Sequence, residues 1–207
     1  MNIAESIVLP ACYLAPISYY KILVECSDKS IYLEQFENFP KQTYRNRTSI
    51  LGANGKLNLY IPVQKGKEVH TIFKDVRINY DADWQRLHWL TLQAAYRSSA
   101  YFEYYEDEFA PFYEKKHEFL FDFNLKLTEK ILSLLKAGID LQLTPAYSSD
   151  YAENTDFRSL IHPKKEPIRS IKPYQQVFSD RFEFIADLSI VDLLFNRGPQ
   201  SMDRLLE

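Results

Sequence analysis

Glycine is scarce in this chain of 207 residues: only five occur, and none are spaced as GxGxxG or GxxxxGK[ST]. A dinucleotide fingerprint and a Walker phosphate loop are therefore excluded, because both need backbone that can approach a phosphate without an intervening Cβ. Cysteine is scarcer still. Cys12 and Cys26 form neither a CxxC pair nor a disulfide framework, and a buried single cysteine ordinarily behaves as a small apolar side chain. The four histidines, at positions 70, 88, 117 and 162, are dispersed without HExxH or HxH spacing, and there is no GxSxG elbow. Neither a zinc site nor an α/β-hydrolase serine is expected. Positive charge is not in excess: 25 basic against 28 acidic side chains leave a net charge of −3, too little field to hold a nucleic-acid backbone. Long apolar runs are missing too, and the opening MNIAESIVLPACYLAPISYY has no basic region and is interrupted by Pro10 and Pro16. The expectation is a cytoplasmic protein with no membrane span, no nucleic-acid partner, no cofactor and no metal.

What is present is the material of a core. Hydrophobic residues make up 46% of the chain, with 15 tyrosines, 14 phenylalanines and two tryptophans, which excludes disorder and fits one domain over residues 1–207. SIVLP reads as a buried strand and PISYYKILVEC as a helix after it. SIYLEQFENF and TYRNRTSI read as strands, and the turn ANG joins the latter to KLNLYIPV as a hairpin. FKDVRINY is a further strand candidate. From Asp83, a plausible N-cap, the period changes from two to about 3.6, with Trp84, Leu87, His88, Thr91, Ala94 and Ala95 on one helical face and Trp89, Leu92 and Tyr96 beside it. YFEYYEDEFAPFYEKK predicts one or two short helices with Pro111 in a first turn, and HEFLFDFNLKLTEKILSLLKAG a long helix closed by Gly138. IDLQLTPAY predicts a last strand. The fold class is α/β: a mixed sheet from the N-terminal half packed with helices in a single domain.

Residues 147–175 lose periodicity, carry Pro163, Pro167 and Pro173, and from residue 158 are locally basic. Aperiodic segments of this length are usually functional or disordered, and this one is expected to be a loop or lid. Its Lys164, Lys165 and Arg169 would meet an anionic ligand. Within TYRNRTSI, the alternation of a strand puts Arg45 and Arg47 on one face, roughly 7 Å apart, a spacing that suits one phosphate, one carboxylate or two buried acids. His88, on an apolar helical face, reads either as a hydrogen-bonded core residue or as a proton acceptor. His162, Glu34 and Glu37 complete the constellation.

At YLAPISYY, YRNR, LYIPVQK, KDVRI, DWQRLHW, AYRSSAYFE and LSIVDLLFNRGP the chain resembles the WbqC-like family in order and spacing. Leu9, Pro10 and Ala11 stand where members usually have His-Gln-Pro, so an N-terminal catalytic histidine does not carry over. The family's asparagine–arginine pair corresponds to Asn46 and Arg47, and its helix tryptophan and histidine to Trp84 and His88. The resemblance implies a role in surface-polysaccharide (O-antigen) synthesis: a transferase passing an amino-acid or acyl group to a sugar or activated sugar precursor. The ligand would be a small anionic or phosphorylated sugar, held by Arg45, Asn46, Arg47, Trp84, Lys164, Lys165 and Arg169, with His88 taking the proton. The alternative is a non-catalytic ligand-binding or scaffold protein of the same pathway.

Overall fold

A computed structural model describes residues 6–64, 71–152 and 155–207; His70 lies outside the described residues. Strand β1 (Ser6–Pro10) is buried at every position, the unbroken apolar run of a strand covered on both faces. It pairs in parallel with β2 (Ser30–Glu34), which pairs in parallel with β5 (Leu141–Leu143), giving the order β1-β2-β5. Parallel neighbours need a crossover. Helix α1 (Ile17–Glu25) supplies the one from β1 to β2, and its residues Ile17 to Val24 are all buried, as suits a helix apolar around its circumference.

The hairpin of β3 (Arg47–Gly52) and β4 (Gly55–Tyr60) forms a separate two-stranded antiparallel sheet, with Arg47 opposite Tyr60. The expected α/β class with parallel and antiparallel strands backed by helices is what the chain adopts, but the two kinds of pairing fall in different sheets. β2 stops at Glu34, short of the longer strand read from SIYLEQFENF. FKDVRINY is not a ladder strand: a 3-10 turn at Phe73–Asp75 is followed by isolated bridges from Arg77 to Phe119 and from Ile78 to Val63.

Helices α2 (Trp84–Tyr96), α3 (Phe102–Glu114) and α4 (Leu120–Leu134) follow. The buried stripe of α2 is Trp84, His88, Leu92, Ala95 and Tyr96, whereas Leu87 faces outward at 64% exposure. Asp83 occupies the N-cap position, but its side chain makes no capping bond. α3 is one helix rather than two, and Pro111 lies in its last turns. There its missing N–H removes one intrahelical bond near an end, not from the middle. α4 carries the expected three-and-four spacing, burying Leu120, Asn124, Leu127 and Ile131. After it, Lys136 and Gly138 both take positive φ, 54° and 62°, and turn the chain toward β5.

Segment 147–175 has no helix or strand in its described residues, yet it is packed. The Val8 N–H donates to the Thr155 carbonyl at 2.8 Å and the Phe157 N–H to the Val8 carbonyl at 2.9 Å, so this piece covers the free edge of β1. Phe157, Ile161 and Tyr174 are buried. Helices α5 (Ile190–Arg197) and α6 (Ser201–Leu206) end the chain against α1. No described helix is long and apolar enough to cross a membrane.

Candidate functional site

In open parallel sheets, ligands gather beyond the carboxyl ends of the strands. Here those ends release the 11–16 segment after β1, the 35–46 segment after β2 and Thr144 after β5. Glu34, the last residue of β2, is fully buried. Its Oε1 accepts the Phe36 N–H at 2.7 Å and the Thr144 hydroxyl at 3.1 Å, and its Oε2 accepts Arg158 Nη1 at 3.2 Å. Arg158 also donates Nε and Nη2 to Asp156 at 2.9 and 2.6 Å and lies over the Tyr147 and Tyr151 rings. Burial acts to raise the Asp156 carboxyl, but the bonds from Arg158 outweigh it and hold the group low.

The two arginines expected to share a strand face do not. β3 begins at Arg47, and Arg45 lies in the preceding turn, where the backbone does not alternate. Arg45 is enclosed and donates Nε and Nη2 to the two oxygens of Glu37 at 2.6 and 2.7 Å. Its five-donor fork is thus committed to a protein acid, one of the alternatives left open by the residue types. Burial raises the Glu37 carboxyl, with the Arg45 charge acting against it. Arg47 differs. It makes no ion pair among the described residues; its guanidinium lies 4.6 Å from the centre of the half-exposed Tyr60 ring, and its Nε is buried without a partner. Beside it, Asn46 donates Nδ2 to the Ile61 carbonyl at 3.0 Å and leaves Oδ1 unpartnered.

His88 is enclosed. Its Nδ1 lies 2.9 Å from the Tyr13 hydroxyl, which is 3.0 Å from the Tyr113 hydroxyl, and the Tyr13 and His88 rings stack. Burial pushes the imidazole down to about 4, opposed by a hydrogen bond with the backbone of Tyr60. Trp84 packs edge-on to His88 and Phe123, with Nε1 unpartnered. At 3% exposure and hydrogen-bonded to Tyr13, His88 has the surroundings described by the first of the two readings.

The open feature on this side is a narrow cleft between the start of α1 and the 160–168 segment, lined among others by Ser18, Tyr44, Ile161, His162, Lys165 and Asp187. Asp187, at φ 53°, accepts the Ser18 N–H at 2.7 Å and the Ser18 hydroxyl at 2.8 Å, so a carboxylate from far along the chain caps α1. Burial raises its carboxyl and the two Ser18 bonds oppose that. His162 accepts the Lys164 N–H at Nδ1, 3.1 Å. Burial lowers its pKa, and the charges of Lys164, Lys165, Arg45 and Arg47 lower it further. Those two arginines therefore lie within electrostatic reach of the cleft.

Of the residues singled out from sequence, Lys165 lines this cleft and Lys164 is exposed beside it, whereas Asn46 and Arg47 are not among its lining residues and Arg47 reaches it only through its charge. Trp84 and His88 belong to the core. Arg169 points away and pairs with Glu25 at 2.5 Å. Tyr44, Ser18 and Asp187 had no signal in the sequence, since each reaches the cleft only through tertiary contacts. Among the described residues no group of three or more His, Cys, Asp or Glu could hold a metal ion. The model of the WbqC-like protein family matches residues 11–166. Comparison with curated proteins and with solved structures returned no match.

Proposed function

The chain belongs to the WbqC-like protein family, whose name points to polysaccharide or O-antigen biosynthesis, and on that premise we propose a transferase acting on a sugar or activated sugar precursor. The observation that carries the reading is Arg47. A partly buried guanidinium with no carboxylate partner among the described residues is an uncompensated charge, and such charges are retained where a ligand supplies the missing anion. Tyr60 packs its ring against it, and the Asn46 amide oxygen, buried without a partner, is an acceptor that a ligand hydroxyl could reach once the site opens. Lys164 and Lys165 add positive charge from the facing segment. Because the cleft is narrow, a sugar-sized ligand requires the 160–168 segment to move outward, and in this reading that part of 147–175 is the lid.

One observation favours the second reading, a non-catalytic ligand-binding or scaffold protein: His88 is enclosed and hydrogen-bonded rather than open to a reactant. Screening by thermal shift against nucleotide sugars, polyprenyl phosphate analogues and acyl donors, followed by mass spectrometry of donor and acceptor mixtures, separates the two. A transferase gives a mass-shifted product whose formation is lost in Arg47→Ala. A ligand that raises the melting point but is never converted leaves the binding protein, and no response to any of these classes removes both.

A further inference from the structure

We infer that the cleft under the 160–168 segment binds a single oxyanion through the Tyr44 hydroxyl, the His162 Nε2–H and the Lys165 ammonium. The inference rests on the reading above that the ligand is anionic, and it specifies which atoms take the anionic end. Tyr44 is 8% exposed, yet its hydroxyl makes no hydrogen bond among the described residues where the side chain lines the cleft. The hydroxyl is not one of the enclosed polar atoms that lack a partner, so it opens to the cleft and its donor is available to whatever enters.

His162 contributes a donor for a reason fixed by its neighbours. Its Nδ1 lone pair is occupied by the Lys164 N–H, so the neutral ring carries its proton on Nε2. The neutral ring is therefore a hydrogen-bond donor in the cleft rather than a general base. Lys165 adds a full charge at the same opening. Two carboxylates also border it. Asp187 is held by the N-terminal end of α1 through both Ser18 bonds, which offsets its charge, and Glu166 is exposed to solvent. Arg45 and Arg47 act on His162 through their charge, and Arg45 is already neutralised by Glu37. The cleft as it stands holds little more than one water, so entry of one phosphoryl or carboxylate group already requires some outward movement of the 160–168 segment, and a whole sugar requires more.

A bound anion among these groups favours the charged imidazole, whose second proton goes to Nδ1 and displaces the Lys164 N–H from it, so binding and protonation of His162 are coupled and affinity strengthens as pH falls. Sulfate serves as the probe because its charge is constant between pH 5 and 8, and acetate in a separate arm tests the carboxylate. The full chain is titrated by NMR, with the His162 ring signals assigned by their loss in His162→Gln. Saturating sulfate should raise the His162 pKa by about one unit. Tyr44→Phe should weaken sulfate binding about tenfold at an unchanged melting temperature. His162→Gln, whose amide nitrogen replaces the Nε2–H, should still bind sulfate but lose the pH dependence. A His162 signal indifferent to both anions, or equal sulfate affinity in Tyr44→Phe, overturns the inference. Sulfate binding here without turnover of any sugar donor would remove the transferase reading and leave this site; turnover with no sulfate response would do the reverse.

Discussion

Arg45 and Glu37 meet through two parallel hydrogen bonds of 2.6 and 2.7 Å with side chains only 3% and 12% exposed. Such a pair is held as a unit. Glu37→Ala leaves a guanidinium buried without its acid and should cost about 3–5 kcal/mol, read as a lower urea midpoint. Replacing both by apolar residues of similar size, Arg45→Met with Glu37→Leu, should recover most of that loss. A double variant no more stable than Glu37→Ala would mean that Arg45 is needed for its further bond to the Arg158 carbonyl.

The His88 ring makes stability depend on pH. Its pKa falls from the ordinary 6.5 to about 4 in the folded chain, so between those values the unfolded state binds more protons than the folded one. The contribution is complete above pH 6.5 and is lost as pH falls toward 4, on the order of 3 kcal/mol in all. Urea unfolding of the wild type and His88→Gln at pH 7, 5.5 and 4 measures it. The difference between the two should shrink steadily across that series, and parallel curves would rule out the imidazole as the cause.

Gly198 combines a φ of 54° with a ring in the way: a Cβ added there would lie 2.4 Å from a carbon of Tyr101. Both the backbone and the packing oppose a side chain, and Gly198→Ala should destabilise by at least about 2 kcal/mol. Tyr101→Ser in the same chain should restore part of this, because it removes the clash and leaves the backbone strain.

Segment 147–175 should not exchange its amides uniformly. The Phe157 N–H is bonded to Val8 on a buried strand, whereas residues 168–171 donate no backbone hydrogen bond among the described residues. Hydrogen exchange in the ligand-free protein should find Phe157 protected and 168–171 fast. Slow exchange throughout would show a packed arm, leaving no part of the segment free to open over the cleft.

Periodicity alone carried much of the architecture. The unbroken run SIVLP, the turn ANG between alternating strands and the three-and-four spacing of Leu120 to Leu134 are local patterns, and β1, the β3–β4 hairpin and α4 follow them because side-chain direction repeats along each element. Family membership was also legible, because it rests on the order of words such as YRNR and DWQRLHW. The site was not. Arg45 and Arg47 are two residues apart, but the strand starts between them, and a turn gives no alternation to argue from. Only the folded chain decides that one arginine meets Glu37 while the other meets no acid among the described residues, or that His88 faces Tyr13 instead of solvent. Likewise Ser18 and Asp187 are 169 positions apart and meet at a helix end that no local pattern connects. Partners so far apart are selected by the packing of the whole core, which residue chemistry permits but does not specify.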